Sequence, residues 1–337
     1  MKFEELLHPT PKGLYCPPGD FFIDPVAAVD RAVITHGHAD HARAGHGAVL
    51  ATPETLAIMA ARYGEDFTAQ RQAARIGETT TINGVSVRLA PAGHVLGSAQ
   101  AVIEQSGARM VVSGDYKRRR DPTCAGFEPV ECDVFISEAT FALPVFRHPD
   151  TGGEVEKLLA SVAQFPERTH VVGAYALGKA QRIIMHLREA GYDAPIFIHG
   201  ALQKLCDLYR GFGVDLGPLE PATIERRGAK QDFAGKIVIA PPSAIQDRWA
   251  RRFADPLPVF ASGWMRIRQR VRQRGVELPL IISDHADWDE LTATITEIEP
   301  KELWITHGRD DALMRWASLN DIAARPLRLV GYEEENE

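Results

Sequence analysis

The stretch Val33–His46, VITHGHADHARAGH, decides how this chain is read. A short apolar run ends, and His36, His38, Asp40 and His41 follow at once. Polar groups this dense are poor core packing unless something pairs with them. On an extended strand end, His36 and His38 point to one side. Gly37 leaves room for the backbone to pass close to whatever they bind. Asp40 and His41, past the strand, face the same point from the next turn. Imidazole and carboxylate donors suit zinc, manganese or iron. One open catalytic zinc takes about three protein ligands, so these donors require a second metal and further ligands.

The same local pattern recurs along the chain. Short β-branched or apolar runs stop abruptly at Asp, Glu or His: FFID (Asp24), AVITH (His36), VRLAPAGH (His94), MVVSGD (Asp115), VFISE (Glu138), PLIISDH (His285) and LWITH (His307). Such runs read as buried strands. Reactive groups just past strand ends are how α/β and sandwich folds build sites, so these ends are expected to converge. His94, Asp115 and His307 are the natural candidates for the missing metal ligands. His8, His46, His148, His170, His186 and His199 lack this context and read as structural or surface residues, with His199 in FIHG the one open exception.

Composition sets bounds. The chain has 337 residues, room for two compact domains, with the apolar and charged fractions of an ordinary globular protein. A net charge of −7 gives no bulk support for nucleic-acid binding, so any such surface must be local. No apolar run reaches the length of a membrane span and the N-terminus lacks a signal-peptide core, so no membrane association is expected. Cys16, Cys124, Cys132 and Cys206 form no CxxC and read as free thiols of a cytoplasmic protein. TPETLAIMAARYG has a threonine cap and a glycine stop; GKAQRIIMHLREAGYD and DWDELTATITEIEP also read as helices. Between about Phe141 and Leu280 the sequence is rich in Gly, Pro and Arg and shows no repeat. The tail, 331–337, is acidic and reads as disordered.

HxHxDH, then Gly93-His94, then Gly114-Asp115-Tyr116 resembles the metallo-β-lactamase superfamily. SEATF (Glu138), SDHADW (His285) and THG (His307) resemble motifs A, B and C of its β-CASP nucleases. YALGKAQRI resembles a stretch of their inserted domain. GLYCPPGDFFIDP, PAGHVLGSAQ and VSGDYK point further, to bacterial ligase-associated DNA exonucleases. The resemblance implies an α/β fold, an αββα sandwich with an inserted β-CASP domain. The core would comprise 1–140 and 281–330, the insert 141–280, with the active site in the cleft between them. It implies two divalent ions, zinc or manganese. His36, His38 and His94 would hold one; Asp40, His41 and His307 the other; Asp115 would bridge them, and Asp24 would orient ligands.

The implied activity is a metal-dependent hydrolase, an exodeoxyribonuclease of DNA repair. Two metals address both ends of an in-line displacement at phosphorus. A metal-bridging hydroxide would attack, Asp40 would take a proton, and His285, oriented by Glu138, would protonate the leaving oxygen, giving a 5′-phosphate. Lys117 and Arg118 in YKRRR, Lys179 at a helix start and Arg266 are candidate nucleic-acid contacts. RWARRF and MRIRQRVRQR concentrate positive charge; phosphate contact and a solvated helix face both remain open for them. The implied partners are single-stranded or end-bearing DNA and, through the family's context, a DNA ligase and a helicase. A histidine at motif C is usual in RNA-acting members, so a β-CASP ribonuclease is the alternative. An ester or thioester hydrolase on the same core is a further one.

Overall fold

A computed structural model of the chain describes residues 2–223 and 229–327. The acidic tail lies outside the described residues. The chain divides into two compact units, Met1–Arg147 with His285–Glu337, and His148–Asp284.

The first unit holds two sheets. In one, the strands His8–Thr10, Gly13–Cys16, Phe21–Ile23, Arg31–Val33, His46–Ala51 and Thr68–Ala73 lie in sequence order. The first three pair antiparallel and the rest parallel. The other sheet runs Ala323–Pro326, Glu302–Ile305, Val134–Ser137, Ala108–Val112, Ala99–Gln105, Val85–Pro91, Thr79–Ile82. The strands from Ala323 to Ala108 in that order are parallel, and the remainder is antiparallel.

Alternation along the strands explains the layers. Val33 and Leu50 of the first sheet share one core with Met110, Val112, Val134, Ile136 and Trp304 of the second. Their sequence neighbours face outward. Ala32, Val49 and Ala51 pack under the helix Pro53–Tyr63 through Leu56 and Met59. Val111, Phe135, Leu303 and Ile305 pack under the helices Trp288–Ile298 and Asp311–Leu319 through Leu291, Ile295, Leu313 and Ala317. Side chains alternate between faces in a strand, and here both faces are buried. That is why these strands read as continuous apolar runs. The result is an αββα sandwich, the expected fold class.

The helix ends follow the sequence signals. Thr52 caps Pro53–Tyr63 by accepting from Thr55 N at 3.2 Å, and Gly64 stops it at φ 91°. Asp287 caps Trp288–Ile298 in a reciprocal box with Glu290.

The second unit is a different α/β layer. Its six strands order as Leu219–Pro221, Ile196–Ile198, Ile237–Ala240, Thr169–Gly173, Pro256–Ala261 and Leu278–Leu280, and all are parallel. Its helices include Thr151–Gln164, Lys179–Glu189 and Gly200–Gly211. Several of these strands have only three residues, too few to show a period in the sequence. The run PLIISDH therefore ends a strand of this sheet, whereas the other six runs end strands of the first unit.

Candidate metal centre

Asp24 organises one side of the site. It follows the strand Phe21–Ile23, is buried, and sits at φ 43°. Its Oδ1 accepts from Thr35 N at 2.8 Å. Its Oδ2 accepts from Thr35 Oγ1 at 2.5 Å and from His41 Nδ1 at 2.8 Å. A carboxylate can only accept, so His41 carries its proton on Nδ1 and turns Nε2 inward. Thr35 Oγ1 gives its proton to Asp24, so it accepts from His36 Nδ1 at 3.1 Å. His36 Nε2 is thereby also left as the inward lone pair. Thr35 carries no signal of its own in the sequence beyond standing next to His36.

Asp115 lies in the middle. Its Oδ2 faces His36 Nε2 at 3.4 Å and His94 Nε2 at 3.7 Å; its Oδ1 faces His41 Nε2 at 3.6 Å. The rings of His36, His38 and His94 stand edge to face with centroids 4.8–5.0 Å apart. Ligand atoms of His36, His38, His94 and Asp115 all lie within 4.8 Å of one another. On the other side, Asp40 Oδ2 is 3.5 Å from His41 Nε2, and His307 stacks on His41 at 5.0 Å between centroids. His307 follows the strand Glu302–Ile305 at φ 56°, with Nδ1 3.2 Å from Thr306 Oγ1.

Two glycines hold these loops in register. A Cβ on Gly114 would meet Thr35 Oγ1 at 2.7 Å, and its φ is 55°. A Cβ on Gly37 would meet Ile58 Cγ2 at 2.6 Å. Gly37 is thus required by packing against the helix Pro53–Tyr63, which differs from the sequence reading of room for a bound group.

Burial and mutual repulsion keep most of the imidazoles neutral. Burial, then His36, lowers His38 to about 3. Burial, then His38 and His36, holds His94 well below its ordinary value. Burial, then His41, lowers His307 to about 4. His41 goes the other way: burial opposes its charge, but Asp40, Asp115 and Asp24 overcome this and raise it to about 10. Burial likewise opposes the Asp115 carboxylate, yet His41, His285 and His36 hold it well below the usual range. His38, His94 and His307 thus present neutral lone pairs beside the ionised Asp115, and His41 joins this donor set once a cation displaces its proton. His36 Nε2 and Asp40 Oδ1 are buried and have no hydrogen-bond partner among the described residues. Buried polar atoms without partners are rare, and a bound cation would satisfy both. The residues fit the metal.

Beside this cluster, Glu138 directly follows the strand Val134–Ser137 and is fully buried. Its Oε1 accepts from Tyr116 N at 2.7 Å, and its Oε2 accepts from His285 Nδ1 at 2.9 Å. His285 stands 4.8 Å from the His94 ring, with Nδ1 4.0 Å from Asp115 Oδ2.

The basic residues singled out by sequence are placed otherwise. Lys117 is buried and pairs with Asp121 at 3.4 Å. Arg118 bonds Glu297 at 2.5 Å and Thr294 at 3.2 Å. Lys179 is buried in the second unit and pairs with Asp284 at 3.1 Å, as Arg182 also does. These three have protein partners. Arg266 is exposed at the end of the short 3-10 helix Gly263–Arg266.

An αββα sandwich whose strand ends gather histidines around a central aspartate defines the class. Residues 24–165 match the family model of the metallo-β-lactamase superfamily, and the chain carries that domain. The chain is 27% identical to "Probable DNA ligase" of Opitutus terrae over 90% of this chain and 30% of that protein. It is 28% identical to "Cleavage and polyadenylation specificity factor subunit 3" of Dictyostelium discoideum, over 69% of this chain and 36% of that protein. It is 33% identical to "Endoribonuclease YSH1" of Saccharomyces cerevisiae, over 38% and 18% respectively. These relatives bear out the β-CASP resemblance. The chain spans about a third of the length of the first two. A crystal structure of a protein of unknown function from Enterococcus faecalis V583 shares the fold: TM-score 0.52, 15% identity, 83% of this chain and 76% of that one. Among the described residues, no helix is long and apolar enough to cross a membrane.

Proposed function

We propose that the chain is a two-metal phosphodiesterase acting on nucleic-acid strands, and that its substrate is DNA, degraded from an end during repair. The observation that carries the reading is Asp115, whose two carboxylate oxygens face two separate groups of donors. His36, His38 and His94 would hold one ion, Asp40, His41 and His307 the other, with Asp115 shared between them. When bound, two divalent ions such as zinc or manganese make water nucleophilic at neutral pH and offset charge on the phosphate oxygens.

The chain's own groups supply the proton transfers. Asp40, whose Oδ1 has no hydrogen-bond partner among the described residues, takes the proton of the attacking water. Glu138, itself fixed by Tyr116 N, accepts the Nδ1 proton of His285 and so fixes which nitrogen faces substrate. His285 gives a proton from Nε2 to the leaving oxygen, and the phosphate stays on the 5′ end. Hydrolysis of an ester or thioester needs the metals but no such pair, so the Glu138–His285 bond favours a phosphodiester with a poor leaving group. Residues 141–280 are the proposed β-CASP insert, a reading that the compact second unit, His148–Asp284, supports with slightly later bounds.

The relative named as a DNA ligase aligns over nine-tenths of this chain, which supports DNA and joint action with a ligase; a helicase partner follows from the resemblance alone. Four free cysteines fit a cytoplasmic setting. RNA is the second reading, favoured by His307 at motif C and by the relative named as an endoribonuclease. The test is digestion of matched, end-labelled single-stranded DNA and RNA by purified protein with manganese or zinc, with Asp115→Ala as control. Progressive shortening of DNA, with RNA spared and the control inert, supports the proposal and shows polarity. Preference for RNA moves the protein to RNA processing. No cleavage of either sinks the nuclease reading.

A further inference from the structure

The second unit carries a concentration of charge that its fold does not explain. Between Arg248 and Arg274 there are eight arginines and one carboxylate, Asp255, in a chain of net charge −7. Asp255 is already engaged by Arg168 at 3.1 Å, and Glu277, just beyond, binds the same arginine at 2.7 Å. Arg248, Arg251, Arg252, Arg268 and Arg272 are exposed, and none has a carboxylate within 4.0 Å among the described residues.

The two basic stretches form one surface. Arg251 and Arg252 lie on the 3-10 helix Ala250–Arg252, Arg268 and Arg272 on the helix Arg268–Gln273. Gln246 Nε2 donates to Arg274 O at 2.5 Å and so ties the segment before the first to the end of the second. Within the surface, Arg270 stacks on Trp264 at 4.0 Å and Arg274 on Phe260 at 4.5 Å. These contacts anchor the helix and leave Arg268 and Arg272, one turn apart, facing solvent. Like charges at that spacing destabilise a helix, and among the described residues no carboxylate lies within 4.0 Å of either. An ordinary solvated face mixes both signs about equally; here the exposed carboxylates are Asp247, which accepts from Arg248 N, and Asp255, which Arg168 engages.

We infer that the surface formed by residues 248–252 and 266–274 binds the phosphate backbone of a nucleic-acid strand. Guanidinium groups suit this ligand because they meet phosphate oxygens with paired donors and stay charged at any working pH. That the bound strand is the substrate rests on the nuclease reading above; the binding itself does not.

Fluorescence anisotropy of a labelled oligothymidylate with the full chain in EDTA measures binding without turnover. Arg268→Ser/Arg272→Ser and, separately, Arg251→Ser/Arg252→Ser should each weaken binding about tenfold at low salt. The slope of log K against log salt should flatten by about 0.7 for each phosphate that is no longer neutralised. Thermal midpoints should hold or rise slightly, because the side chains are exposed and the Arg268–Arg272 repulsion is relieved. Hydrolysis of bis(p-nitrophenyl) phosphate by the manganese-loaded variants should also be unchanged, since that ester is too short to reach beyond its site. Wild-type affinity and slope in both variants would overturn the inference. So would equal affinity for polyglutamate, which would leave only a nonspecific polyanion surface. A wild-type protein that binds the strand but cleaves nothing would leave the surface standing and remove the nuclease reading.

Discussion

At the scale of single residues, the site is set by which nitrogen of each imidazole is occupied from behind. Asp24 does this for His41 and, through Thr35, for His36. Asp24→Asn should therefore weaken metal affinity about 10–100-fold while the ligands themselves remain, as measured by competition with a fluorescent chelator. Unchanged affinity would reduce Asp24 to a structural residue. Glu138 accepts from His285, the proposed proton donor, and lies with it beside Asp115. Glu138→Gln should lower kcat about 10²–10⁴-fold with metal content unchanged. Loss of metal in step with activity would instead make Glu138 part of the ion's support. Asp115→Ala should remove both metal and activity, read by elemental analysis alongside digestion. Of these residues, Asp24, His36, Asp115 and Glu138 are legible in the sequence because each ends an apolar run, and His41 because it stands in HxHxDH. Thr35 is not, because its role depends on a hydrogen bond to Asp24, eleven residues earlier.

At the scale of elements, the loops that carry the proposed ligands are held against helices and strands by close packing. Gly37→Ala would drive a methyl into Ile58 and should cost about 1–3 kcal/mol in urea denaturation. It should also loosen the metal, because His36 and His38 flank the displaced backbone. Full stability in that variant would mean Ile58 yields without cost. The helix and strand ends nearest the site were readable because caps and stops are local: Thr52, Gly64 and Asp287 act within one turn. The parallel sheet of the second unit was not, because its edge strands have only three residues and its central strands Thr169–Gly173 and Ile237–Ala240, buried on both sides, carry no alternation.

At the scale of the whole molecule, the charged cluster links metal, protons and stability. In the metal-free protein His41 is raised to about 10, so it is protonated at neutral pH, and a bound ion must expel that proton. Adding zinc to weakly buffered apoprotein should release protons, and apparent metal affinity should rise with pH toward that value. The same shift stabilises the apoprotein fully below about 6.5 and fades as pH climbs through about 10. His38 and His307 have the opposite sign. The unfolded chain protonates them below about 6.5, whereas the folded one does so only near 3 and 4. The thermal midpoint of the apoprotein should therefore fall from pH 7 to pH 5. A midpoint that rises on acidification would mean these rings are charged in the fold.

The donor set was already present in the order of residues along the chain, and the layer plan followed from the resemblance that its motifs carry. Donor types, their spacing and their position after apolar runs are local facts, and burial on both faces writes itself into a strand as an unbroken apolar run. Folding added what no local pattern holds: Asp115 faces both groups of donors, Lys117, Arg118 and Lys179 are bound by Asp121, Glu297 and Asp284, and two arginine stretches meet at Gln246. The physical reason is range. An ion pair or a shared ligand is a matter of a few ångströms in space, and Lys179 and Asp284 reach that distance across more than a hundred residues of chain.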